Sequence, residues 1–137
     1  MMSAQLATTG GLPPETIAQY IRACDIMVQP YQEGATARRG TLMAGLSLGM
    51  PVVTNLGHSS ETIWSESGAV ALAEDPRPQT IAAATEGLLS SPERWRDLGR
   101  RAAALYAERF SLERSMSTLL KLAREDDERD ASGRRER

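Results

Sequence analysis

The chain has 137 residues, 16 basic against 18 acidic side chains and a formal charge of −2, the length of one domain. That balance argues against a general nucleic-acid binder, for which a basic domain is expected. The single cysteine, Cys24, excludes an internal disulfide and fits a reducing, cytoplasmic compartment. No apolar run approaches the ~18 residues of a membrane span, and the start MMSAQLATTGG has neither a basic nor a long apolar signal region.

In chain order, Gln5 to Thr9 could be the stub of a strand. Pro13 and Pro14 open a helix, since proline is tolerated in a first turn, and Ile17, Tyr20, Ile21 and Cys24 keep helical spacing. Cys24 comes just before a strand and reads as a small buried hydrophobe. A strand is expected over 25–29, a helix over 39–48 ended by Gly49, and a second strand over 51–54. Ser59, Ser60 and Glu61 start a short helix through Ser65, and Ala69 to Leu72 form a third strand. Helices follow over 78–89 and from Ser91-Pro92-Glu93 to about Arg109, the latter with Ser91 as cap. Ser111 caps a last helix carrying Leu112, Met116, Leu119, Leu120 and Leu122. From Glu125 the segment EDDERDASGRRER has one apolar residue, and 125–137 is expected to be a disordered charged tail after a folded unit over 1–124.

Strands separated by helices predict an α/β fold: a partial Rossmann-like, three-layer parallel sheet of about three strands with C-terminal helices. With so few strands one sheet edge is left open. In such a sheet, ligands bind outside the carboxyl ends of the strands. The loops after the first two strands both lie there. The first is glycine-bearing and doubly basic, and it opens a helix, whose unpaired N–H groups and dipole favour an anion. The segment therefore reads as a phosphate-handling crevice.

Asp25 to Pro30 with Glu33-Gly34, then Gly49-x-Pro51-Val52-Val53, then Gly57 to Glu61, resembles the donor-binding domain of retaining glycosyltransferases of the GT-B fold, the glycosyltransferase group 1 family. Gly68 to Pro76 looks like that family's last strand and loop. Leu88 to Gly99 and Arg109 to Leu112 look like its closing helices. The pieces are individually weak motifs; their order and spacing carry the resemblance, over about Thr8 to Leu122. It implies the second half of a Rossmann-like nucleotide-sugar domain. The family's earlier strands and its acceptor domain have no counterpart here. A fragment, a truncated product and a stand-alone half-domain stay open.

The family signature is a pair of glutamates with seven residues between, and Glu33 resembles the first. Eight positions on stands Thr41; anchoring on Gly49 and Pro51 gives Ala44, with Thr36 in the first position. Neither supplies the second carboxylate, which in the family is thought to hold the donor ribose. The loop here is Ala37-Arg38-Arg39-Gly40-Thr41.

The resemblance implies a partner, a nucleoside-diphosphate sugar. Arg38 and Arg39 contact its diphosphate or form a solvated pair or a salt bridge to Glu33 or Asp25; the planar fork of arginine suits phosphate. Glu33 meets the sugar hydroxyls or is an exposed loop acid. Gly34 and Gly40 let backbone approach a phosphate or are ordinary turn glycines. Thr41 donates its hydroxyl to phosphate or caps the helix. His58 contacts the donor or is a solvated loop residue, and Glu61 bonds backbone or ribose or is first-turn helix charge. Trp64 and Trp95 read as packing. No residue of this segment is expected to be a nucleophile or general base, and no metal or cofactor is called for. The expected activity is transfer of a sugar to a hydroxyl acceptor by a longer enzyme, the isolated chain being inactive. A non-catalytic module that dimerises through the 25–29 edge strand is the alternative. A nucleotide-sugar epimerase of the same fold fits the closing helices less well.

Overall fold

The structure, a computed structural model, describes residues 5–133. Its elements are α1 (Pro14–Ala23), β1 (Met27–Val28), α2 (Gly40–Ser47), β2 (Val52–Asn55), α3 (Ile63–Glu66), β3 (Ala71–Ala73), α4 (Pro78–Leu89), α5 (Pro92–Leu105), a π-helical turn (Tyr106–Phe110) and α6 (Leu112–Gly133). The three strands form one parallel sheet in the order β1-β2-β3. This is the α/β, partial Rossmann-like architecture expected.

Strand alternation makes the layers. Val52 and Val53 are both fully buried but point to opposite faces. Val52 joins Leu42, Leu46, Trp64, Ala102 and Leu105 on one face. Val53 joins Ala71, Leu88 and Leu98 on the other, with Ile26, Ala84 and Trp95 packed against them. A strand covered on both faces reads as a continuous apolar run, which is why 51–54 was legible.

Gly49 ends α2 as its spacing suggested. Its φ is +66°, its N–H bonds Leu46 O at 3.0 Å, and Met50 N–H bonds Gly45 O at 3.0 Å. These two bonds make the Schellman closure that a left-handed glycine permits. Ser111 caps α6 through its hydroxyl, which accepts the Arg114 N–H at 3.2 Å.

Four local readings are corrected. No strand forms over Gln5–Thr9, which is exposed and has no neighbouring strand to pair with. Cys24 is exposed, because α1 ends one residue before it and its thiol bonds Tyr20 O at 3.3 Å at the surface. Ser91 occupies the position before α5, but its side chain makes no capping bond. The α5 helix closes at Leu105 and widens into the π turn, which swings Phe110 onto Trp64 with ring centroids 5.8 Å apart. Beyond Glu125, α6 runs on to Gly133 within the described residues. That stretch holds no proline and no glycine before Gly133, so nothing interrupts the helix once started.

Candidate functional site

The site lies where the chain leaves β1 and β2. Two buried polar residues of β2 hold the first loop. The Thr54 hydroxyl donates to Gln29 O at 2.7 Å. The fully buried Asn55 amide accepts the Tyr31 N–H at 2.9 Å and donates to Tyr31 O at 2.9 Å and Leu56 O at 3.0 Å. Ala35 N–H then bonds Asn55 O at 2.9 Å. A buried amide satisfied this fully fixes the backbone around it.

The two loops touch through glycine. Gly34 has φ +89°, and a Cβ there would collide with Gly57 backbone and the Ser60 hydroxyl. A Cβ on Gly57 would strike Glu33 backbone. The contact is closed by Ser59 N–H bonding Glu33 O at 3.1 Å. Close backbone approach of this kind is the reason for glycine at both positions.

Above that contact opens a cleft of about 240 Å³ lined by Glu33, Thr36, Arg38, Arg39 and Ser59. Arg39 Nη2 lies 3.4 Å from Glu33 Oε2, and its guanidinium carbon sits 4.8 Å from the centre of the Tyr31 ring. Its buried Nε has no hydrogen-bond acceptor among the described residues; the Tyr31 ring offsets part of that cost. The Glu33 side chain is 61% exposed, so the ion pair itself contributes little stability. Two arginines and one carboxylate line the cleft. At its side, α2 begins with the N–H groups of Gly40, Thr41 and Leu42 meeting no acceptor among the described residues.

Glu61 ties the second loop to the first from outside the cleft. Its carboxylate accepts the Ala37 N–H at 3.2 and 3.3 Å and the Trp64 indole N–H at 2.7 Å. Partial burial pushes its pKa up, but these bonds, a bond from its own backbone and the charge of Arg38 outweigh that and lower it below 4.5.

The structure thus brings Glu33, Arg38 and Arg39 together on one cleft, with Gly34 as the turn beneath them. Gly40 is the exposed first residue of α2, with open space where a Cβ would stand. The Thr41 hydroxyl lies 2.9 Å from the Tyr31 hydroxyl, away from the cleft lining, and it follows the cap position, which Arg39 holds. His58 is exposed and does not line the cleft. Thr36 and Ser59, both cleft-lining, and Asn55, its main support, were not singled out from the sequence as site residues. The signal for Asn55 is a polar pair, Thr54-Asn55, closing an otherwise apolar strand.

Among the described residues, no group of three or more His, Cys, Asp or Glu side chains is placed to hold a metal, and no helix is long and apolar enough to cross a membrane. No family model matches the chain, and no curated protein matches it.

Proposed function

We propose that this chain carries part of the donor site of a retaining GT-B-type glycosyltransferase, binding the diphosphate of a nucleoside-diphosphate sugar. The observation that carries the reading is the cleft at the carboxyl ends of β1 and β2, where Glu33, Arg38 and Arg39 converge beside the first turn of α2. Leaving-group charge would be stabilised there by guanidinium and backbone N–H, an electrostatic role that requires neither nucleophile nor base from this segment. Glu33 would accept bonds from sugar hydroxyls, and Arg39 would exchange its contact with Glu33 for phosphate oxygens.

Calorimetric titration with UDP, GDP, ADP and their sugar conjugates tests this, beside an Arg38→Ala/Arg39→Ala variant. Binding by the parent chain that the variant loses supports the reading and names the donor base. No binding to any of them by a folded chain overturns it as a property of this chain. Sugar transfer is expected to be absent in the isolated chain, because the resemblance extends only to part of a donor domain; detected transfer would refute that part.

A second reading is favoured by one observation. The strand β1 is at the sheet edge, and Val28 on it is 39% exposed. Two copies pairing there would extend the sheet and cover the edge. A strictly monomeric mass by sedimentation equilibrium at high concentration counts against this assembly role.

A further inference from the structure

A groove away from the candidate site lies at the opposite end of the sheet, where the chain enters β1 and β2. It measures about 470 Å³ and is lined by Arg22, Cys24 and Asp25, by Gly49, Met50 and Pro51, and by one face of α5. That face presents Trp95, Arg96, Gly99, Arg100 and Ala103 at helical spacing.

Its construction is specific. The Trp95 indole N–H donates to Asp25 O at 2.6 Å, fixing the ring at one wall. A Cβ on Gly99 would stand 2.6 Å from Gly49 O, so α5 rests directly on the turn that enters β2. The floor is then Met50, Pro51, Trp95 and Ala103, all apolar. The rim carries three guanidinium groups, Arg22, Arg96 and Arg100, against the single carboxylate of Asp25 inside the groove. Arg100 is paired with Asp97 at 2.9 Å, a carboxylate that also holds Arg101 at 2.7 Å, and Glu93 lines the adjoining surface with Arg96 and Arg100, whereas Arg22 and Arg96 make no salt bridge among the described residues.

An apolar floor under a basic rim is complementary to one ligand chemistry. We propose that this groove binds a small amphiphilic anion, its phosphate held by Arg22, Arg96 and Arg100 and its apolar body laid on Met50, Pro51 and Trp95. Arginine suits the head group because its fork meets phosphate oxygens two at a time. The apolar body supplies burial that a bare ion cannot. The site is independent of the donor cleft, which occupies the other end of the strands.

Cys24 supplies the measurement. It is the chain's only cysteine, it is exposed, and it lines the groove. Its alkylation by neutral iodoacetamide therefore reads occupancy directly. The probes are n-hexyl phosphate, inorganic phosphate and 1-hexanol, each with the purified full chain. With about 5 mM hexyl phosphate and a Kd of about 1 mM, alkylation slows about sixfold. Inorganic phosphate and hexanol slow it far less, and added salt weakens the effect. In the Arg96→Gln/Arg100→Gln variant, the ratio of rates with and without hexyl phosphate falls to that for hexanol. Both side chains are on the surface, and an unchanged thermal midpoint verifies the fold. Three results overturn the proposal: no protection by hexyl phosphate, equal protection by hexanol or by inorganic phosphate, or protection that survives in the folded variant.

Discussion

At the scale of single residues, Asn55 is the buried anchor of the loop that carries the candidate site. Its amide makes three hydrogen bonds from a fully buried position, two of them to Tyr31. Asn55→Ala leaves the Tyr31 N–H and the Leu56 carbonyl without this partner, while the Tyr31 carbonyl keeps the Gly34 N–H at 3.1 Å, and is expected to cost about 2–4 kcal/mol, since each buried unpaired group costs ~1–3 kcal/mol. Urea denaturation measures it, and a loss below half a kcal/mol, a surface-like value, would show that the network is dispensable. Gly34→Ala meets both a positive φ and a backbone collision with Gly57, so a loss of about 3 kcal/mol or more is expected on the same measurement. The arginines were legible as residues. Their convergence with Glu33 was not, because it depends on the Gly34–Gly57 contact, which joins positions more than twenty apart in the chain.

Among the elements, the closing turn couples the helices to the site. The π turn carries Phe110 onto Trp64, with rings 14° from parallel, and Trp64 in turn holds Glu61. Phe110→Ala is expected to cost about 2 kcal/mol, less than the ~3–5 of a fully buried phenylalanine because Phe110 is only partly buried. It should also shift the emission of Trp64, and unchanged fluorescence with unchanged stability would refute the coupling. Most helices were visible from periodicity and proline: Pro78–Leu89 forms with the ends expected. The π turn was not visible, because a single widened turn leaves no distinct spacing in sequence. The outer helices remain thinly covered. Ile17 and Tyr20 on α1 and Leu112, Met116, Leu119, Leu120 and Leu122 on α6 are all at least 41% exposed.

Across the whole molecule, stability is set to fall in acid. Asp75 is held below its ordinary 3.8 by the Arg77 side chain first, then by the Thr80 hydroxyl and the Arg77 N–H. Asp97 is lowered by Arg100 and then Arg101, and Glu61 is lowered below 4.5 despite partial burial. In each case the folded pKa lies below the unfolded one. The unfolded chain therefore binds more protons through this range, and stability rises with pH. The contribution is fully present above about pH 5 and is lost as pH falls through the depressed values. Denaturation midpoints at about pH 6 and about pH 3 should differ in that sense, and an Asp75→Asn/Glu61→Gln variant should narrow the difference. A midpoint unchanged or raised at the lower pH would contradict the assignment.

Local chemistry was enough, in the sequence alone, to determine the α/β alternation, the fully buried second strand, the glycine that closes α2 and the basic loop that opens it. Those features depend on neighbours within a few positions: alternation, helical spacing and backbone freedom. Only the tertiary structure decided which loops meet, that Glu61 supports the cleft from outside, that His58 stays off it, and that Cys24 faces a groove between α5 and the sheet's amino end. These depend on contacts between distant segments, whose geometry is set by packing across the sheet and leaves no periodic trace in the chain.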